Sequence, residues 1–180
     1  MPLASLFRRN RYRPLAHAAY TSIVEHARAP VFFIRLEVPD TLDGRFEMIA
    51  LHMFLVLNRL KAEHGATEEF AQALFDAMFA DLDRGLREMG ATDMGVGKRV
   101  KEMAKAFYGR IAAYEKGLEG NDKILSEALK RNMYGTVQPS AQAVADMVRY
   151  MRSQATALAG QPVESFFRDD IKLEPLNLQS

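Results

Sequence analysis

The sequence predicts an all-α fold, a single compact domain of about six helices with an extended connector after the first helix. Two observations support this prediction. Apolar residues recur at three- and four-residue intervals in successive stretches, and residues that begin or end helices stand between them. Only residues 31–39 have the β-branched and aromatic composition of a strand, and no second strand is available to pair with them. We therefore interpret residues 31–39 as a buried, extended connector.

The six helices follow from the positions of these signals. The first spans residues 15–27 and ends before Pro30, because the residue before a proline is disfavoured in helical geometry. The second spans residues 42–64 and is apolar around most of its circumference, which indicates a central helix enclosed by neighbours. Glycines follow several of the helices and supply their stops. The remaining four helices are predicted at residues 68–89, 93–117, 122–134 and 140–158.

The predicted organisation has three parts: a basic N-terminal segment at residues 1–13, a helical domain at residues 14–160 and a partly docked tail at residues 161–180. The N-terminal segment lacks the apolar core of a signal peptide, so we keep it as part of the working protein. Its arginines could contact an anionic lipid surface or RNA, and an ordinary solvated segment is the alternative. These arginines are Arg8, Arg9, Arg11 and Arg13.

Composition excludes several classes of protein. The chain has 24 Lys and Arg against 23 Asp and Glu, which excludes the strong global basicity of a protein that wraps nucleic acid, and we expect no DNA partner. It has no cysteine, so disulfides, thiolate metal sites and a thiol nucleophile are excluded. No apolar run reaches the roughly 18 residues that a membrane span needs. We expect a cytoplasmic protein.

No motif indicates catalysis, a metal or a cofactor. The GVGK segment at residues 95–98 departs from the phosphate-loop pattern, because Thr92 and Arg99 stand where that pattern needs a glycine and a Ser or Thr. No histidine has a glutamate three residues before it, which excludes the usual di-iron pattern. His52 lies among apolar residues and is interpreted as a hydrogen-bonded core residue, with a functional role as the alternative. We predict that the protein is not an enzyme.

One stretch resembles a known family. VPDTLDGRFEMIALHMFLVLNRL, at residues 38–60, resembles the hallmark region of the ubiquinol-cytochrome c chaperone family, the cytochrome b assembly chaperones. The likeness continues through ALFDAMFADLDRGLREMG and GVGKRVKEMAKAFYGRIAAYEKGL, and more weakly through LKRNMYG. With the opening YTSIVEHARAPVFF it covers most of the chain in order.

The resemblance implies an all-helical, non-enzymatic chaperone that binds newly made cytochrome b before haem loading and supports assembly of respiratory complex III. By family analogy, a small partner protein and the ribosome are further expected partners. We interpret the chain as little more than the family's core domain, with no evident targeting extension, and therefore expect a bacterial version. We therefore expect it at the cytoplasmic face of the inner membrane, in peripheral contact with that membrane.

Charged residues at the start of the second helix and on the two following helices are the candidates for binding client or partner. Structural capping is the alternative for the first group, and an ordinary solvated face is the alternative for the basic residues. The candidates are Asp40, Thr41, Asp43, Arg45, Arg84, Arg87, Glu88, Lys98, Arg99 and Arg110. Methionines could line an apolar client groove, with plain core packing as the alternative.

Two other functions remain open from the residues. One is a small-molecule or haem-binding helical domain that uses His52 or His64. The other is a peripheral membrane adaptor whose basic N-terminus binds anionic lipid.

Overall fold

The structure, a computed structural model, describes residues 3–63, 65–168 and 170–176, and at residues 3–10 it describes the backbone alone. No strand occurs in these residues, and the all-α prediction is confirmed. Two of the helices are single turns that the sequence did not indicate. The helices are α1 (Leu3–Ala27), α2 (Pro30–Ile34), α3 (Leu42–Lys61), α4 (Glu68–Glu88), α5 (Asp93–Glu119), α6 (Asp122–Asn132), α7 (Ala141–Ala159) and α8 (Val163–Phe166).

Helix α3 is the centre of the fold, as its apolar circumference predicted. Every side chain from Phe46 to Val56 is buried, and the helix contacts α1, α4, α5 and α7. Thr41 caps its start, since the hydroxyl accepts a hydrogen bond from the N–H of Gly44 at 3.1 Å. The helix ends at Lys61, three residues before the predicted end.

Helix α1 begins at Leu3, so the predicted start at residue 15 is wrong. Pro14 lies inside the helix, although an interior proline removes one backbone hydrogen bond and costs about 3 kcal/mol. Tertiary packing supplies the compensation. The ring of Tyr12 packs edge-on against Phe70 at 6.0 Å between centroids, and it packs at a tilt against Phe167 at 5.7 Å.

The predicted extended connector is wrong in its first half, because Pro30–Ile34 form a turn of helix. Pro30 is tolerated at the first helical position, where its missing N–H needs no partner. The turn satisfies the backbone locally, with the N–H of Arg35 donating to the carbonyl of Val31 at 2.9 Å. In an isolated strand the backbone N–H and C=O groups would have no neighbouring strand to bond with. A helical turn therefore forms here despite the β-type composition.

The later helices lie close to their predicted positions. Helices α4 to α7 begin and end within two residues of the predicted bounds. Asn121 and Ser140 cap α6 and α7 by accepting hydrogen bonds from the backbone N–H groups of Ile124 and Ala143. Beyond α8, which buries Phe166, residues 170–176 lie against α7.

Candidate functional site

The candidate site is a groove between α3, α4 and α5 with a volume of about 300 Å³. Most of the side chains that line it are apolar, and Tyr108 at its edge is 60% exposed. We define the α3–α5 groove by its apolar residues. They are Phe54, Leu57, Leu60, Ala71, Phe75, Tyr108 and Ile111.

Phe75 and Tyr108 line the α4–α5 side of this groove, and they belong to an aromatic wall that extends beyond the groove to Phe79 and Phe107. The ring of Phe75 lies 4.6 Å from Phe79, 5.7 Å from Tyr108 and 6.0 Å from Phe107, between centroids. Phe75 and Phe79 are one helical turn apart on α4, which places them on the same face. Both remain partly exposed, so the wall offers apolar area that the fold leaves uncovered.

The rim of the groove is polar, with one lysine and two glutamates. Lys61 donates to the carboxylate of Glu115 across the groove, and this hydrogen bond raises the pKa of the Lys61 ammonium. Glu68, Gln72 and Asn58 complete the rim. An apolar floor inside a polar rim can bind an apolar segment and exclude water around it.

A second cavity, the polar cleft, brings together three of the predicted site residues. Asp43, Arg99 and Arg110 line a volume of about 300 Å³ between the start of α3, α5 and the end of α6. Arg99 donates to Asp43 at 3.2 Å. Arg110 forms a bidentate ion pair with Glu47, in which the Nε of Arg110 lies 2.5 Å from the Oε2 of Glu47. The side chain of Glu47 is only 7% exposed, and burial raises its pKa against the opposing effect of Arg110.

The other candidates around the start of α3 make local contacts. Arg45 donates to Asp40 at 2.7 Å, and this bond lowers the pKa of the Asp40 carboxyl. Thr41 serves as the cap of α3. These residues thus contribute to the capping structure that was the alternative to a binding role.

The two arginine candidates on α4 pair with nearby carboxylates. Arg84 pairs with Asp81, which in turn accepts a hydrogen bond from Tyr20 at 3.0 Å. Arg87 pairs with Asp83 at 2.6 Å and with Asp93. Arg45 pairs with Asp40 and Arg84 pairs with Asp81, so these two candidates for one binding surface do not share a partner.

The remaining candidates are exposed or lie outside the described residues. Glu88 and Lys98 are exposed, as are Arg11 and Arg13 on α1. The side chains of Arg8 and Arg9 lie outside the described residues, and so does His64.

His52 is a fully buried core residue with both ring nitrogens occupied, which confirms the core interpretation. Its Nδ1 lies 2.8 Å from the carbonyl of Met48, so Nδ1 carries the proton and Nε2 accepts from the hydroxyl of Tyr150 at 2.6 Å. His26 then donates from Nε2 to the same Tyr150 oxygen at 2.8 Å. Burial lowers the pKa of His52 to about 3 and also lowers the pKa of His26. A neutral His52 engaged on both sides has no nitrogen free for a haem iron.

Methionine contributes to the core more than to the groove. Met48, Met53 and Met78 are completely buried, which favours the plain-core alternative for them. Met89 and Met94 are 59% and 88% exposed, at the turn between α4 and α5.

Among the described residues, no three His, Asp or Glu side chains are grouped closely enough to hold a metal ion. Across the same part of the chain, none of the helices combines the length and the apolar character needed to span a bilayer.

Sequence reasoning missed the aromatic wall of the α3–α5 groove. On α4 the residues Phe70, Leu74 and Met78 form an apolar stripe at helical spacing, and Phe107 belongs to the corresponding stripe on α5. Phe75 and Tyr108 fall outside these stripes, and a large aromatic residue off the apolar face was the available signal.

Comparison with known proteins gives a consistent family. The family model described as "Ubiquinol-cytochrome C chaperone" matches residues 35–173. The chain is 29% identical over 139 residues to "Ubiquinol-cytochrome-c reductase complex assembly factor 1" from Xenopus laevis, covering 77% of this chain and 70% of that protein. It is 26% identical over 153 residues to "Protein CBP3, mitochondrial" from Saccharomyces cerevisiae, covering 82% of this chain and 45% of the yeast protein.

A solved structure matches almost the whole chain. The crystal structure of the Cbp3 homolog from Brucella abortus superposes with a TM-score of 0.81 at 35% identity, covering 97% of this chain and 98% of that one. The chain spans less than half of the mouse and human assembly factors that it also matches, at 46% and 45% of their lengths. Because the family model covers most of the sequence and the bacterial structure shares both fold and sequence, the chain belongs to the ubiquinol-cytochrome c chaperone family.

Proposed function

We propose that this protein is a non-enzymatic assembly chaperone that binds newly made cytochrome b and supports assembly of the ubiquinol-cytochrome c reductase complex, respiratory complex III. The names of its relatives support the assembly role, since the Xenopus and Drosophila proteins are assembly factors of that complex. The observation that carries the proposal for this chain is the α3–α5 groove, with its partly exposed aromatic wall.

The groove suits a client made of apolar helices. A helix presents apolar side chains at intervals of three and four residues and lays that stripe into an apolar groove. Tyr108 can act as an anchor, because a tyrosine contributes a large apolar ring and a hydroxyl that stays at the rim. Lys61 and Glu115 neutralise each other at the rim, so this pair needs no compensating charge on the client.

Binding without catalysis is supported by the state of the buried polar groups. Glu47 is occupied by Arg110, and His52 is occupied by Met48 and Tyr150. These bonds hold the fold together. We also propose that Asp43 and Arg99, at the mouth of the polar cleft, contact a partner protein rather than the apolar client.

Because the proposed client, cytochrome b, is a membrane protein, we propose that this chaperone lies peripherally at the cytoplasmic face of the inner membrane. A small partner protein and the ribosome are further proposed contacts, by family analogy.

A photo-crosslinking amino acid placed at Tyr108 in the full chain tests the proposal in native membranes. We expect crosslinks to cytochrome b from this position, and none from the same probe at Ala145, an exposed position on α7. The substitution Tyr108→Asp should lower co-purified cytochrome b and the amount of assembled complex III, because a charge in the groove must be desolvated. Equal crosslinking from both positions, or normal complex III in a clean deletion strain, would contradict the proposal.

A further inference from the structure

Gln154 of α7 and Gln161, just beyond the end of that helix, bind the backbone of the C-terminal segment, residues 170–176. The amide of Gln154 donates to the carbonyl of Glu174 at 2.6 Å and accepts from the N–H of Glu174 at 3.1 Å. The side-chain amide of Gln161 binds the backbone of Lys172 in the same way. It donates to the Lys172 carbonyl at 2.7 Å and accepts from the Lys172 N–H at 3.0 Å. Each side-chain amide thus makes both hydrogen bonds that a paired residue of a neighbouring β-strand would make.

The positions on both sides of this contact are ordered. Gln154 lies in the last turns of α7, and Gln161 lies two residues beyond its end at Ala159. Lys172 and Glu174 are two residues apart, so their backbone groups point to the same edge of an extended segment. Since Gln161 meets Lys172 and Gln154 meets Glu174, the segment runs opposite in direction to α7.

The two glutamines recognise backbone and leave the segment's polar side chains free. The side chains of Lys172 and Glu174 are exposed. The apolar side chains of Ile171, Leu173 and Leu176 are partly buried and pack against the core. The contact therefore requires an extended chain with apolar residues around the two clamped positions, and it places little demand on the clamped residues themselves.

The buried side-chain amide of Gln154 is hydrogen-bonded through this contact. It is 1% exposed, and in the described part of the chain its side-chain amide bonds only to Glu174. A buried amide without partners is costly, so the position is built to hold a polypeptide backbone. Beyond the two clamps, a cavity of about 580 Å³ continues along α7 from Glu174 and Leu176 towards Asp146.

We propose that the end of α7 and the turn after it, with Gln154 and Gln161, are a receptor for an extended polypeptide, occupied in this structure by the protein's own residues 170–176. The proposed ligand is an extended segment of a partner protein with apolar side chains on either side of two backbone-clamped positions. It competes with the tethered segment for Gln154 and Gln161. This site is separate from the α3–α5 groove and does not depend on the function proposed for that groove.

The test uses the full chain and a fluorescein-labelled synthetic peptide with the sequence DIKLEPL. In the unmodified protein the tethered segment is present at a high effective concentration and should keep the peptide's apparent affinity low. The full-length variant Ile171→Asp, Leu173→Asp weakens that segment, and we expect it to bind the peptide at least about tenfold more tightly by fluorescence polarisation. Adding Gln154→Ala and Gln161→Ala should abolish the binding, whereas adding Gln142→Ala, an exposed glutamine of α7, should not change it.

Two modified peptides separate backbone recognition from side-chain recognition. N-methylation at the positions of Lys172 and Glu174 removes both donated N–H groups and should prevent binding, while alanine side chains at those positions should leave it unchanged. Equal binding of the N-methylated peptide would overturn the proposal. So would a folded weakened variant, with its circular dichroism retained, that fails to bind the unmodified peptide.

Hydrogen exchange in the unmodified chain gives an independent result if the weakened variant does not fold. The amide protons of Lys172 and Glu174 should be protected, and excess peptide should speed their exchange. Unchanged exchange at saturating peptide would count against the site. A concentration-dependent dimer of the unmodified protein that Gln154→Ala dissociates would overturn the assignment to a partner protein, because the occupant would then be a second copy.

Discussion

Helices α3 and α4 use polar residues in opposite ways. Helix α3 is buried on nearly every side, and it still carries Glu47 and His52 in its interior. Helix α4 buries one stripe and keeps its acids and arginines at the surface. The comparison shows that a charge pair matters to the fold where its partner cannot be replaced by water, and that similar pairs on an exposed face contribute little.

The largest expected effect follows from removing the partner of Glu47. In Arg110→Met a buried carboxylate loses its cation, and we expect the free energy of unfolding in urea to fall by about 3 kcal/mol. The matched substitution Arg87→Met removes an exposed pair with Asp83 and should leave the unfolding midpoint unchanged. Equal destabilisation by the two substitutions would contradict the distinction between the helices.

A double substitution sharpens this result. Replacing both members, as Glu47→Leu with Arg110→Met, removes the buried charge altogether and should recover most of the lost stability. If the double variant is no more stable than Arg110→Met alone, the loss arises from packing against Phe46, over whose ring Arg110 lies at 5.7 Å, and not from the unpaired charge.

A second prediction compares one glycine in each helix. A Cβ atom at Gly44 of α3 would lie 1.9 Å from the carbonyl oxygen of Pro39, so Gly44→Ala should destabilise the protein by about 2 kcal/mol. A Cβ at Gly85 of α4 would meet no atom within 4 Å, and Gly85→Ala should stabilise it by about 0.5 to 1 kcal/mol. Thermal unfolding of both variants measures this difference, and a shift of the same sign in both would refute it.

The same contrast explains what the sequence could predict. The interiors of α3 to α7 follow from apolar periodicity, and their starts follow from caps such as Thr41 and Asn121, because these signals are local. The N-terminal extension of α1 could not be predicted, since it depends on Tyr12 meeting Phe70, a residue far along the chain. Local composition also favoured an extended chain where α2 forms, because propensity carries no information about missing strand partners.

The candidate site was predicted less well than the fold. Charged residues could be singled out from the sequence, and Asp43, Arg99 and Arg110 do share one cleft. The α3–α5 groove was missed because its boundaries depend on which helix faces are left uncovered, which is a tertiary property. The bond between His52 and Tyr150 was missed for the same reason, since 98 residues separate them.

A third prediction concerns Tyr150, whose hydroxyl joins two histidines. In Tyr150→Phe the buried Nε2 of His52 loses its donor, and we expect a loss of about 1 to 2 kcal/mol in the free energy of unfolding. Tyr108→Phe removes a hydroxyl at an exposed position and should have no measurable effect. Urea unfolding of both proteins at neutral pH makes the comparison, and equal stability of the two variants would show that the hydroxyl bridge does not stabilise the core.

The smallest expected effect is a pH dependence that distinguishes the buried histidine from an exposed one. The pKa of His52 is lowered to about 3 from an ordinary value of 6.5, so between these values the unfolded chain binds a proton that the folded protein does not. Stability from this group is therefore fully present above pH 6.5 and declines as the pH falls below it, by about 1 kcal/mol per pH unit. The lowered pKa of His26 acts in the same direction.

Urea unfolding between pH 6.5 and 5, where most carboxylates are still ionised, should show this slope in the unmodified protein and in His17→Asn, which changes an exposed residue. The slope should be clearly reduced in His52→Asn, with each protein referred to its own stability at pH 7. An unchanged slope in His52→Asn would mean that His52 takes up its proton within the folded core, and the Met48–His52–Tyr150 arrangement would then have to tolerate a buried charge.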